Sequence, residues 1–185
     1  MAGLIARVQL CSNALLLLGD RPIASLTDET TGSTLSANLF ENTYLAMLQN
    51  HRWRFAVKTQ ELPRLSAEPK TRYRYAFQLP ADFLYATKGD SRTYEVYGNE
   101  IHCNAQSFQL DYVRRVDEDL LPAYFAKALE YNLAFQFSVP LTGDMDKGLY
   151  YQKVYIDAIR KAKMADSSQY PEVGVHDQPY VNIRY

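Results

Sequence analysis

This sequence has little of what catalytic and membrane proteins usually carry. Cys11 and Cys103 are its two cysteines, and they lack CxxC or metal-ligand spacing, which excludes a zinc ribbon or a dithiol redox motif. The longest apolar run, Ala14 to Leu18, is far short of the ~20 residues that cross a bilayer. No Gly-rich phosphate loop, HExxH or GxSxG occurs, so the common nucleotide, zinc-protease and hydrolase signatures are missing. The three histidines, His51, His102 and His176, fall in three different segments. The formal net charge is −1, so no global field draws the chain onto DNA or an anionic membrane. The first ten residues hold one Arg and no cleavage-site pattern, so no signal peptide is expected. Reduced thiols and assembly in a cytoplasm follow as expectations, with no cofactor, no metal and no membrane association.

What is present is a substantial core. Hydrophobic residues make up 47 % of 185 residues, enough for one domain, or one domain with a subdomain. Tyrosine is the unusual count, 15 against 8 Phe and 1 Trp. A tyrosine ring buries area yet keeps a polar tip that tolerates water. Such residues suit surfaces that are alternately wet and covered, as in assembling proteins. They also suit half-exposed strands, the simpler account for those between Tyr73 and Tyr112.

The ends of the chain read as helices. Leu4, Val8, Cys11, Leu15 and Leu18 share one helical face, and Gly19 with Pro22 ends that helix. Ser, Thr and Asp between Asp28 and Ser33 supply a turn and an N-cap. A second helix carries Ala37, Phe40, Tyr44, Met47 and Leu48 as far as His51. A third begins at Pro122 and is apolar around most of its circumference, which places it at the centre of a bundle or against a neighbouring subunit. Pro140 and Gly143 end it. Asp144 caps a fourth, whose expected stripe is Met145, Leu149, Gln152, Ile156 and Ile159.

The middle changes period. Phe55, Val57 and Thr59 alternate, as do Tyr73, Tyr75 and Phe77, and Phe108, Leu110, Tyr112 and Arg114. Pro80 to Leu84 suits a single helical turn. Residues 93–97 and 100–103 flank Gly98-Asn99, the pattern of a hairpin. The predicted fold is α+β: a four-helix bundle (residues 1–53 and 117–165), a small antiparallel sheet of about four or five strands inserted at 54–116, and an extended arm at 166–185. That arm has no period and carries Pro171, Gly174 and Pro179 beside Tyr170, Val173, Tyr180, Val181, Ile183 and Tyr185. So many apolar anchors suit a segment that docks, either into a partner's groove or against its own domain.

Candidate chemistry is thin. Asp117, Glu118 and Asp119 cluster before the third helix. A glycosidase needs two carboxylates across a cleft, whereas three in a row at a helix N-terminus are favourable dipole partners. Cys103 and His102 alternate on a strand and point to opposite faces, and a pairing of Cys103 with His51 lacks an orienting third group. Arg52, Arg54, Lys58, Arg64, Lys70, Arg72 and Arg74 interleave with Trp53, Phe55, Tyr73 and Tyr75. That mixture suits nucleic-acid binding by phosphate contact and stacking, or the wet face of strands whose other face is core.

Four ordered segments carry a resemblance. Residues 11–26 (Cys-Ser-Asn-Ala-Leu-Leu-Leu-Leu-Gly-Asp-Arg-Pro-Ile-Ala-Ser-Leu), the pair Trp53 and Phe55, the stretch Phe77-Gln78-Leu79-Pro80-Ala81-Asp82-Phe83-Leu84, and Phe135-Gln136-Phe137 resemble the head-to-tail adaptors of tailed phages, the tail tubular protein A type of short-tailed phages in particular. The resemblance implies a structural, non-enzymatic protein of the virion. Such adaptors form a ring, commonly of twelve copies, between the portal protein and the tail tube or nozzle protein. Packaged double-stranded DNA passes through the lumen without sequence-specific binding. It further implies Tyr170, Tyr180, Ile183 and Tyr185 as portal-binding arm positions, Tyr94, Tyr97 and Asn99 as a tail-facing hairpin, and Tyr124, Tyr131 and Phe135 as subunit-packing positions. The competing expectations are a tail-associated cell-wall hydrolase using Asp117, Glu118 or Asp119, and a nucleic-acid-binding module using the basic 52–74 stretch.

Overall fold

A computed structural model describes residues 2–90 and 93–169. The fold is α+β, with four helices and two three-stranded antiparallel sheets among the described residues. In chain order these are α1 (Ala2–Leu17), α2 (Thr31–Gln49), β1 (Val57–Glu61), β2 (Tyr75–Gln78), β3 (Phe83–Gly89), β4 (Tyr94–Tyr97), β5 (Glu100–Cys103), β6 (Gln109–Arg114), α3 (Ala123–Thr142) and α4 (Met145–Ser167).

The helix boundaries have local causes. Gly19, at φ 83°, closes the turn after α1, where Asp20 N donates to Leu15 O at 3.0 Å. The connector is pinned by Ser12, whose hydroxyl donates to Ile23 O at 3.0 Å. Thr30 caps α2 by accepting from Ser33 N at 3.1 Å. Asp144 caps α4 by accepting from Asp146 N and Lys147 N. Pro140 does not end α3 as the sequence predicts. The helix runs on to Thr142, and Gly143, left-handed at φ 67°, closes it. A proline this near the end removes only the bond to Gln136 O, and the turn behind it still closes, with Gly143 N donating to Val139 O at 2.9 Å.

Helix α3 is the central one, packed by α1, α2 and α4. Phe125, Leu129, Leu133 and Phe137 are buried within this one chain, so its own copy covers most of the apolar circumference. Its approach to α4 is close: a Cβ on Gly148 would meet Val139 Cγ2 at 3.2 Å and Ser138 Oγ at 3.1 Å. Trp53 is fully buried at the joint between helices and strands. Its Nε1 donates to Met47 O at 2.8 Å, and its ring meets Phe125 edge-on at 4.9 Å. Phe55 also meets Phe125, at 5.1 Å.

The single sheet expected from the sequence is two. One has the order β1-β6-β3 and the other β2-β5-β4. A second core, including Phe77, Ile101, Phe108, Leu110 and Tyr112, draws on strands of both. Strand β3 replaces the helical turn predicted at Pro80 to Leu84. Only Ala81 and Asp82 form a turn there, and Phe83 already pairs with Arg114. The β4–β5 hairpin forms as predicted, with Tyr97 opposite Glu100. Gly98 alone takes a positive φ, 59°, the requirement of a type II′ turn.

Candidate functional site

The buried charges are structural. Glu118 is 7 % exposed and accepts from Arg7 Nη2 at 2.6 Å and Arg115 Nη2 at 2.8 Å. Glu41 accepts from the same two arginines, at 2.8 Å from Arg7 Nη2 and 2.7 Å from Arg115 Nε. This four-residue network ties α1 and α2 to the segment after β6. It lowers the Glu41 pKa below 4.5, chiefly through the Arg115 hydrogen bond. Glu118, expected as a dipole partner of α3, also anchors an ion-pair network: its bond to Arg115 spans three residues, whereas the links to Arg7 and from Arg115 to Glu41 are beyond local sequence spacing. Asp117 stays exposed and lies 3.9 Å from Arg115.

The thiols and histidines do not combine. Burial pushes Cys11 up to about 11, so it is a protonated thiol in the core. Cys103 faces the second core, and its thiol meets Ala105 O. On the other strand face, His102 Nδ1 meets Thr71 Oγ1 at 3.1 Å and Nε2 meets Glu100 Oε2 at 3.0 Å. Tyr97 stacks on its ring at 4.7 Å. His51 belongs to the helical end, edge-on to Trp53 at 4.8 Å and 3.6 Å from Asp166. No group of three or more His, Cys, Asp or Glu that could hold a metal occurs among the described residues.

Aromatics of the basic stretch are largely taken up by the fold. Trp53 and Tyr73 are buried, so they offer no face to a base. Arg64 lies over Tyr75, with Cζ 3.9 Å from the ring centroid, and Arg72 pairs with Glu95. Arg52 lies 3.8 Å from Asp111.

Two surfaces on the helices stand out among the described residues. The first is the outer face of α4. Met145, Leu149 and Ile156 are 64, 51 and 57 % exposed, and at about 100° per residue they fall within ~40° of one another on the helix. The predicted stripe therefore faces outward, apart from Ile159. The buried side of α4 is Gly148, Ile159, Ala162 and Asp166, where small residues let α3 approach. Tyr151 and Lys147 tie its first turns to Leu17 O and Leu18 O.

The second surface is an open groove of ≈ 660 Å³ between α3 and α4. Tyr124 and Tyr131 wall it, Ala128 and Ala162 floor it, and Lys127, Lys153 and Lys161 rim it. Tyr124 donates to Asp166 Oδ1 at 2.9 Å, and burial above all raises its pKa to about 12. Asp166 also accepts from Arg54 N at 3.1 Å. It is 1 % exposed, so it belongs to the helical body rather than to the arm predicted from residue 166. The structure thus gathers Tyr124 and Tyr131 into one groove, while Phe135 sits half-buried on the next turn of that face. At the hairpin, Tyr97 and Asn99 are exposed at the tip, whereas Tyr94 turns inward against Phe108 at 5.2 Å. Tyr170, Tyr180, Ile183 and Tyr185 lie outside the described residues.

No protein-family model matches this chain, and no curated protein matches it significantly. No helix among the described residues is long and apolar enough to cross a membrane.

Proposed function

We propose that the chain is a structural head-to-tail adaptor of a tailed phage. In this reading its helices form a four-helix bundle, residues 54–116 form an inserted β subdomain, and copies associate side by side in a ring of about twelve (the size usual in the resembling family) between portal and tail tube or nozzle. The protein has no catalytic turnover, and its place is the virion. One observation carries the reading most directly: the apolar stripe of α4 points to solvent. A helix with a packed inner face and a second apolar face outward is built to be covered twice, once by its own chain and once by another. The order of the four resembling segments supplies the particular assembly. Trp53 and Phe55 meet at the joint between helices and strands, and Asp82 accepts from Tyr112 OH at 2.9 Å, so two of those segments hold the scaffold together.

The ring, the portal and nozzle partners, and the exposed hairpin tip as the tail-facing edge belong to this proposal. Replacing Leu149 and Ile156 by Lys tests it. The variant stays folded and no longer associates with itself or with portal rings in a sedimentation assay. Unchanged association removes the α4 face from the assembly.

A further inference from the structure

The groove between α3 and α4 has a chemistry that specifies its occupant. Its floor is alanine and its walls are tyrosine rings, so it accepts aromatic or branched side chains and offers them few hydrogen bonds. Its rim is basic. Lys127 pairs with Glu130 at 2.9 Å and Lys161 with Asp157 at 2.7 Å. Asp157 also serves Arg160 at 2.5 Å, and it is the one carboxylate among the lining residues. The rim therefore suits an extended apolar segment with a few acids.

This chain's sequence continues past the groove-lining part of α4 into such a segment. Ala165 lines one end, four residues before Gln169. The residues beyond, 170–185, contain Tyr170, Val173, Val175, Tyr180, Val181 and Ile183, with Glu172 and Asp177 in the first half and Arg184 only at the far end. The groove follows α4 from Lys153 to Ala165, about 18 Å at 1.5 Å per residue. Extended chain covers ~3.3 Å per residue, so six residues span it and the rest can make the reversal. A tether this short gives an effective concentration in the mM range, which favours the chain's own segment over any dilute competitor.

We propose that residues 170–185 occupy the α3/α4 groove of their own copy in the unassembled protein, with their apolar side chains against Tyr124, Tyr131 and the alanine floor, and Glu172 or Asp177 at the lysine rim. The assignment does not depend on the adaptor reading. In an adaptor, the groove is where the segment rests before a portal meets it.

Photo-crosslinking of the full chain tests this. A Tyr180→p-benzoylphenylalanine variant is irradiated in a dilute equal mixture of ordinary and ¹⁵N-labelled protein, and the products are mapped by mass spectrometry. The expected products join residue 180 to peptides covering 124–131 and 153–165, light to light and heavy to heavy. Adding Lys153→Glu and Lys161→Glu, both exposed positions, lowers the yield by about fivefold, the worth of one or two solvent-edge ion pairs. Adding Glu172→Lys and Asp177→Lys to those restores it. Mixed light-heavy products at the groove overturn the assignment in favour of a second copy. Products elsewhere, or a yield that ignores the lysines, overturn the groove itself. Ring assembly on portals is a separate readout, so either result leaves the adaptor reading to its own test.

Discussion

Single residues carry two devices that hold the chain ends to the middle. Asp166, near the end of α4, accepts from Arg54 N and from the Tyr124 hydroxyl in a buried site. Asp166→Ala removes that buried acceptor from both donors, and a cost of about 2–3 kcal/mol is expected in urea unfolding. A loss under about 0.5 kcal/mol, as at an ordinary surface position, would show that the latch is unimportant. Glu41 sets an acid limit. Its folded pKa lies below the ordinary 4.5, so the unfolded chain binds that proton more readily. Its stabilising contribution is complete above pH 4.5 and is lost as pH falls through the lowered value. Urea midpoints taken from pH 6 to pH 3, about the span of carboxylate titration, fall less steeply for Glu41→Gln than for the natural chain. His51 acts in the same sense at higher pH. Burial outweighs Asp166 and lowers its pKa from 6.5, so acidification through that range also favours unfolding. The sequence shows none of these partners, because each spans 34 residues or more along the chain. Trp53 stood out in the sequence only as part of the basic, aromatic stretch and of the pair with Phe55; its burial against Met47 O and Phe125 is seen in the fold.

At the scale of elements, the limits of sequence reading have particular causes. Caps and turns were legible because their chemistry is local: Thr30, Asp144 and Gly98 act on neighbours within three residues. Strand β3 was not. Phe83 to Gly89 shows no clean alternation, because six of its seven positions are half-buried and two register shifts interrupt its pairing with β6. The α4 stripe is legible in the sequence, but the side it faces is not. Periodicity marks a face and says nothing about which neighbour covers it. The side that α3 needs is the one with Gly148 and Ala162, where a larger residue would hold the helices apart. Two predictions separate these faces. Leu149→Lys with Ile156→Lys changes stability by no more than about 0.5 kcal/mol, as exposed positions do. Gly148→Leu pushes against Val139 and Ser138 and costs about 1–3 kcal/mol, as overpacking does, read as a lower thermal midpoint.

For the whole molecule, the architecture is an apolar helical core with one long α3 at its centre, and a second core tied to two small sheets. The sequence leaves α3 either central among helices or against a neighbouring subunit; α1, α2 and α4 of its own chain pack around it, so the case for assembly shifts to α4 and to the hairpin tip. Deleting residues 170–185 leaves the described core intact. It is therefore expected to give a folded protein with a thermal midpoint within a few degrees of the full chain, roughly the shift of one kcal/mol or less, that no longer joins portal-bearing particles. Normal joining by that truncated protein removes the arm from the junction. The most direct measurement is the mass of the purified chain alone and with rings of the proposed portal partner, by native mass spectrometry across a concentration series. The account predicts a defined multiple of the chain added to each ring, lost when Leu149 and Ile156 become Lys. A chain that stays monomeric at every concentration and adds nothing to the ring would contradict it.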